Sequence, residues 1–260
     1  MKKIAFIGGG RIASALIGAN LASGRPSESI LVSDINTDSP AAALGVRVIS
    51  DNPAAVEWAD IVVIAVKPQN IDAALASFAH KAGGKTFVSV VAGVSAERIR
   101  SGLESPTTVI RVMPNTPMLL GKGTIAIAFG DACEETVAEV SEMFSYCGEV
   151  FTVDEALLDA VTALSGSGPA YFYRFANVMA SWGREQGLEN ADKMAALTML
   201  GAAEMLLSTG KSAAELIKDV SSPGGTTVAA LGAFDQKGLD EVVRSGLDAA
   251  MNRSAELGKK

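Results

Sequence analysis

From Lys3 to about Thr152, short runs of β-branched and apolar residues alternate with Ala-rich segments, and no other feature of the chain limits its fold as tightly. The runs are Ile4-Ala5-Phe6-Ile7, Ile30-Leu31-Val32, Val46-Arg47-Val48-Ile49, Ile61-Val62-Val63-Ile64-Ala65-Val66, Thr86-Phe87-Val88-Ser89-Val90 and Val109-Ile110-Arg111-Val112. Several are apolar at consecutive positions, which is the pattern of strands covered by helices on both faces. Strands alternating with helices predict a parallel, doubly wound α/β sheet.

After about Asp154 the strand signals stop. Between Gly168 and Gly187 the polar residues Arg174, Asn177, Ser181, Arg184 and Glu185 share one helical stripe, leaving Tyr171, Phe172, Phe175, Met179 and Trp182 on the broad remainder. Gly187 closes this helix, Ala191 to Leu207 forms a second, buried one, and Leu239, Val242, Val243, Leu247 and Ala250 fall at helical spacing in a last segment. The expected division is a sheet domain over residues 1–153 and an all-α domain over 154–260. Little chain remains to cover so much apolar helix surface, so a subunit interface is expected there.

Directly after the first run comes Gly8-Gly9-Gly10-Arg11-Ile12-Ala13, which fits G-x-G-x-x-A. The first glycine permits a tight turn, the second lets backbone amides approach a pyrophosphate, and Ala13 allows close packing of helix on strand. Ile12, Leu16, Ile17 and Ala19 then open an amphipathic segment, and the acidic Asp34 follows the second run. Together these predict a Rossmann-type dinucleotide site. Asp34 suits a ribose 2′-hydroxyl and hence NAD, whereas Arg11 could neutralise a phosphate, so the preference stays open. Lys67, in Ala65-Val66-Lys67-Pro68 at the end of the fourth run, is a further candidate for touching the cofactor.

Composition removes other classes of function. Net charge is −7 with no basic run, which argues against a nucleic-acid partner. His80 is the only histidine, and Cys133 and Cys147 are isolated, so neither a metal site nor a histidine triad is expected. The glycines interrupt the first apolar run after four residues, so Met1 to Arg11 reads as a strand rather than a signal peptide. The longest apolar stretch, Ala195 to Leu207, is too short for a membrane span, and a cytoplasmic protein is expected.

Two small-residue loops precede helices in the second half: Ser165-Gly166-Ser167-Gly168-Pro169 and Ser221-Ser222-Pro223-Gly224-Gly225-Thr226-Thr227. Each could cap its helix or hold a small carboxylate on free amides and hydroxyls. With these loops, the chain resembles pyrroline-5-carboxylate reductase along essentially its whole length. The resemblance also rests on the N-terminal turn, Ala65 to Pro68, Arg111-Val112-Met113-Pro114-Asn115-Thr116-Pro117, and Asp159 to Leu164 running into Ser165.

That resemblance implies a Rossmann-type sheet domain followed by an all-α dimerisation domain. It implies reduction of 1-pyrroline-5-carboxylate to L-proline by NADPH or NADH, the last step of proline biosynthesis. It also implies a dimer or pentamer of dimers. It places Gly8, Gly9, Gly10, Arg11, Ile12, Ala13, Asp34, Asn52, Ala65, Val66, Lys67, Pro68, Val91, Ala92 and Gly93 at the cofactor. Glu155, Thr162, Ser165, Gly225, Thr226 and Thr227 would line the substrate pocket. The amides of Gly225, Thr226 and Thr227 are expected to hold the carboxylate, with the Thr227 hydroxyl at the imine nitrogen. Arg11 and Asp34 depart from the family's usual residues, which touches the choice of cofactor rather than the reaction. Two alternatives are a hydroxyacid dehydrogenase of the same plan and a dinucleotide-sensing protein without catalysis. The first would carry a lysine early in the long helix, where this chain reads Ala170-Tyr171-Phe172-Tyr173-Arg174-Phe175. The second would need no carboxylate pocket.

Overall fold

The computed structural model describes residues 2–103 and 105–258. Met1 and Lys260, the outer bounds of the two expected domains, lie outside the described residues, as do Glu104 and Lys259. Among the described residues the strands are β1 (Ile4–Ile7), β2 (Ile30–Ser33), β3 (Arg47–Ile49), β4 (Ile61–Ile64), β5 (Thr86–Ser89), β6 (Thr108–Met113), β7 (Gly123–Ala128) and β8 (Gly148–Thr152). They form one sheet in the order β3-β2-β1-β4-β5-β6-β7-β8. The chain runs outward from β1 to β3, then returns to place β4 on the other side of β1, so the strand order reverses between β1 and β4. In open α/β sheets ligands bind outside the carboxyl ends of the strands at such a reversal.

The first six strands follow the apolar runs and pair in parallel, with Ile4 opposite both Ile30 and Ile61. The sheet is not parallel throughout, because β7 runs antiparallel to β6. Only residues 114–122, mostly one 3-10 segment (Thr116–Leu120), join those two strands. That is too short for a crossover helix, so the chain can only turn back.

Consecutive apolar residues in each strand feed the two faces of the sheet. On one face Ile4, Phe6, Val32, Val63 and Ile110 pack against Leu16 and Ile17 of α1 (Arg11–Ala22). Residues 134–145 form a helix on the same face and add Val140, Met143 and Phe144. On the other face Ala5, Ile7, Val62, Ile64, Phe87 and Val109 meet α2 (Asn52–Trp58), α3 (Ile71–Phe78) and α4 (Ala96–Ser101). Phe78 of α3 stacks on Phe87 at 5.9 Å between ring centroids. Each such side chain, fully buried, contributes about 1.5–3 kcal/mol, which fixes the strand ends that carry the loops described below. The helix over 134–145 is α5 (Glu134–Ser145).

By packing, the described residues of 1–167 and 250–260 form one unit, and Gly168–Ala249 form another. The first unit includes α6 (Leu158–Val161) and a π-helical turn, Thr162–Gly166. Ser165 and Gly166, expected in a loop, lie in this turn instead. The Ser167 amide bonds the Thr162 carbonyl at 2.8 Å, one residue wider than an α-helical bond.

The second unit is helical: α7 (Gly168–Glu185), α8 (Ala191–Ser208), α9 (Ala213–Asp219), α10 (Thr226–Gln236) and the first part of α11 (Leu239–Gly258). Gly187 ends the first of these helical segments with φ at +88°. Both α7 and α8 are far more exposed in the single chain than a buried reading of them expects. Phe172, Phe175, Trp182, Leu197 and Leu200 are each about half exposed, and Leu207 is 84% exposed. An apolar surface of that extent is the mark of an interface between chains.

Candidate functional site

The expected cofactor residues all follow the carboxyl ends of the parallel strands β1 to β5: residues 8–13 after β1, Asp34 after β2, Asn52 after β3, 65–68 after β4 and 91–93 after β5. Backbone hydrogen bonds tie these loops together. The Gly8 amide donates to the Ser33 carbonyl at 2.8 Å, Ala65 to Ile7 at 2.9 Å, and Val90 to Ile64 at 3.1 Å.

Gly8 has φ at +101°, and a Cβ there would stand 2.8 Å from the Ala65 carbonyl oxygen, so only glycine fits. Two residues on, Gly10 precedes α1 with no side chain capping the helix. The amides of Gly10, Arg11, Ile12 and Ala13 have no hydrogen-bond partner among the described residues. Arg11 is exposed at the same helix start, while Ala13 is buried against the sheet. A glycine-shaped turn with unspent amides, a helix dipole and a cation fits a pyrophosphate. The residues present therefore fit a dinucleotide. Lys67 is exposed at the end of β4, immediately before Pro68.

Asp34 lies against this turn. Its Oδ2 accepts the Gly9 amide at 2.6 Å and its Oδ1 accepts the Asn36 amide at 2.8 Å. A pocket of about 250 Å³ opens beside it, lined by Ser33, Asp34, Ile35, Ser50, Asp51, Asn52, Pro53 and Ser77. Asn52 is held from both sides: the Ser33 hydroxyl donates to its Oδ1 at 2.7 Å, and its Nδ2 donates to Ser77 Oγ at 3.0 Å. Of these residues the sequence reading found Asp34 and Asn52. Ile35, next to Asp34, is 99% exposed, and nothing in the local sequence pattern sets it or the other lining residues apart.

Among the expected substrate residues of the first unit, Glu155 is already engaged. Its Oε1 accepts the Ala96 amide at the start of α4 at 2.7 Å and Arg111 Nη1 at 3.3 Å. Arg111 comes from β6 and is the one charged residue in an otherwise apolar strand. Thr162 and Ser165 donate their hydroxyl protons to the carbonyls of Leu158 and Val161, at 2.7 and 3.1 Å. Both therefore offer a ligand lone pairs rather than protons. Asn115 clamps the π-helical turn by donating to the Ser165 carbonyl at 3.1 Å.

In the second unit the loop over 221–225 opens α10, and no side chain caps that helix. Taken alone this loop reads from sequence as a helix cap, and only the pair of loops together points to a carboxylate; the serines and threonines here do not cap. The Gly225 amide is used by the Ser222 carbonyl at 2.9 Å, so it is not one of the free donors expected. The amides and hydroxyls of Thr226 and Thr227 have no partner among the described residues, and Thr227 is half-buried. Two adjacent amides at a helix start, with two free hydroxyls, can hold a carboxylate and one further polar atom.

Residues 155–257 match the family model described as pyrroline-5-carboxylate reductase dimerisation. Residues 3–93 match one described as NADP oxidoreductase coenzyme F420-dependent. A pyrroline-5-carboxylate reductase of Pseudomonas aeruginosa is 39% identical over 266 residues, covering 99% of this chain and 97% of its own. The solved pyrroline-5-carboxylate reductase of Coxiella burnetii superposes with a TM-score of 0.90 at 30% identity, covering 100% of this chain and 99% of its own. A Plasmodium falciparum pyrroline carboxylate reductase, solved with NADP bound, superposes with a TM-score of 0.91 at 25% identity, covering 99% and 98%.

Proposed function

Since the chain belongs to the pyrroline-5-carboxylate reductase family, we propose that it reduces 1-pyrroline-5-carboxylate to L-proline with NAD(P)H, and that the residues described above do so in the following roles. The free, uncapped start of α10 is the observation that carries the assignment. Residues 1–153 serve as the cofactor domain and 154–260 as the substrate and dimerisation domain.

The nicotinamide cofactor, when bound, supplies the hydride that reduces the imine carbon. Gly8, Gly9, Gly10, Arg11, Ile12 and Ala13 hold its pyrophosphate, and Asp34 and Asn52 its adenosine ribose. The turns Ala65, Val66, Lys67, Pro68 and Val91, Ala92, Gly93 line the remainder at the strand-order reversal. The Thr226 and Thr227 amides hold the substrate carboxylate, and Gly225 sets the turn that aims them. Glu155, through Arg111 and the start of α4, supports the wall that Thr162 and Ser165 complete.

The chemistry asks little of these residues beyond orientation. A cyclic imine gains hydride at carbon and keeps a proton on nitrogen, so no strong base has to remove a proton. Thr162 and Ser165 have spent their hydroxyl protons on backbone carbonyls. They can accept a hydrogen bond from a substrate but have no proton to give it. The Thr227 hydroxyl, free in both directions, bonds the imine nitrogen and keeps its proton in place.

The helical residues carry a homo-oligomer, a dimer or pentamer of dimers, and their exposed apolar side chains support that reading. A cytoplasmic location is supported by the two free thiols, which suit a reducing compartment. No helix among the described residues is long and apolar enough to cross a membrane.

The test is Thr227→Ala. Losing one hydrogen bond to a charged group, worth about 1.5–3 kcal/mol, lowers kcat roughly 10- to 150-fold. The Kd for the cofactor stays within about twofold. A kcat at the parent level would remove Thr227 from the mechanism.

A further inference from the structure

The strand-end pocket beside Asp34 carries an inference that rests on the reductase reading and deepens it. We infer that the chain selects NADH over NADPH, and that the selecting feature is the Asp34 carboxylate together with a pocket wall whose side-chain donors are mostly engaged.

The two cofactors differ only at the adenosine ribose. NADH presents a 2′-hydroxyl, which can donate; NADPH presents a 2′-phosphate, which carries close to two negative charges and accepts. A site therefore discriminates by the balance of donors and acceptors that it offers there. The side chains of this wall offer few donors. The Ser33 hydroxyl donates to Asn52, the Asn52 amide to Ser77, and the Ser77 hydroxyl to the Ala74 carbonyl. Ser50, exposed at the rim, keeps the remaining side-chain hydroxyl.

The acceptors are plentiful by contrast. Asp51 and Asp34 both line the pocket. Each oxygen of Asp34 takes one backbone amide, from Gly9 at 2.6 Å and from Asn36 at 2.8 Å. The carboxylate is thereby fixed in position with a lone pair left on each oxygen, an arrangement complementary to a ribose diol. A phosphate in the same place would meet two carboxylates and no lysine or arginine among the lining residues.

Arg11 does not offset this. It is the first residue of α1, at the uncapped turn assigned to the pyrophosphate that both cofactors share, and it is not among the residues lining the pocket. The two opposing sequence signals thus act on different phosphates.

The first test needs no turnover: calorimetric binding of ADP-ribose and of its 2′-phosphorylated form to the full chain. ADP-ribose should bind at least about 30-fold more tightly, equivalent to about 2 kcal/mol. The ratio of kcat/KM for NADH over NADPH should run the same way. Asp34→Ser should narrow both ratios at least about tenfold, chiefly by improving the phosphorylated partner. Equal or tighter binding of the phosphorylated fragment by the parent overturns the inference, and so does a folded Asp34→Ser chain that keeps the parent's ratios. Should that variant not fold, the parent's fragment ratio decides alone. Fragment selectivity without oxidation of either cofactor in the presence of pyrroline-5-carboxylate would refute the reductase reading and leave the selectivity standing.

Discussion

Replacing Gly93 by alanine separates a backbone effect from a long-range packing effect, and both can be sized from the structure. Gly93 has φ at +76°, and a Cβ there would stand 2.7 Å from the Ser254 carbonyl oxygen and 2.9 Å from Leu257 Cβ. Gly84 supplies the matched control: its φ is +72°, and a Cβ there meets nothing within 4 Å. The left-handed backbone costs an alanine about 1–2 kcal/mol. Alanine's smaller unfolded-state entropy returns about 0.4–1 kcal/mol of that. Gly84→Ala should therefore destabilise by about 1 kcal/mol.

Gly93→Ala carries the same backbone cost plus overpacking of about 1–3 kcal/mol against the end of α11, a total of about 2–4 kcal/mol. For a chain of this size that lowers Tm by roughly 4–16 °C, against roughly 2–4 °C for Gly84→Ala. Thermal scans of the two variants and the parent at one rate and one protein concentration give the comparison. Removing residues from 254 onward takes away the obstructing atoms, so in that background the two substitutions should shift Tm equally. Because the turn over 91–93 is proposed to line the cofactor, Gly93→Ala should also raise the cofactor KM while Gly84→Ala does not. Equal Tm shifts for the two alanines in the full-length chain would refute the packing argument.

The two thiols give further predictions. Cys133 is exposed, and its hydrogen bond with Thr136 holds its pKa below the ordinary value, whereas burial pushes Cys147 up to about 11. A disulfide reagent at pH 8 should therefore label one thiol per native chain and two in denaturant; rapid labelling of both in the native protein would contradict the burial of Cys147. As pH rises from 9 towards 11 the unfolded chain loses its Cys147 proton while the folded chain retains it, so stability is complete below about pH 9 and falls across that window. Cys147→Ala should show a smaller loss of Tm between pH 8.5 and 10.5 than the parent, and an equal loss would assign the alkaline sensitivity to other groups.

How much of this was legible in the sequence differed from one element to the next. The strands β1, β2, β4, β5 and β6 were readable because both of their faces are largely buried, so apolar residues run consecutively, whereas edge strand β3 was read from its β-branched residues although Arg47 is exposed. Edge strand β8 was not singled out: Glu149, Phe151 and Thr152 are exposed, and no apolar run marks it. The reversal of β7 follows from the short link that precedes it, not from any feature of its own residues. At the site, the glycine turn and Asp34 were legible because their spacing is local. The bond network through Ser33, Asn52 and Ser77 joins positions 19 and 25 residues apart, and nothing in the local pattern announces it. The need for glycine at position 93 arises from atoms more than 160 residues later. The uncapped start of α10 could not be read either, because capping depends on where a hydroxyl points.

Hydride delivery to the imine carbon of 1-pyrroline-5-carboxylate is the step on which every proposed residue role depends. Its most direct test is turnover with reduced nicotinamide cofactor deuterated at C4, followed by mass and NMR analysis of the product. The expected product is L-proline carrying one deuterium at C5, formed one-for-one with cofactor oxidised. Cofactor oxidation without proline, or proline without the label when both C4 positions are deuterated, would contradict it.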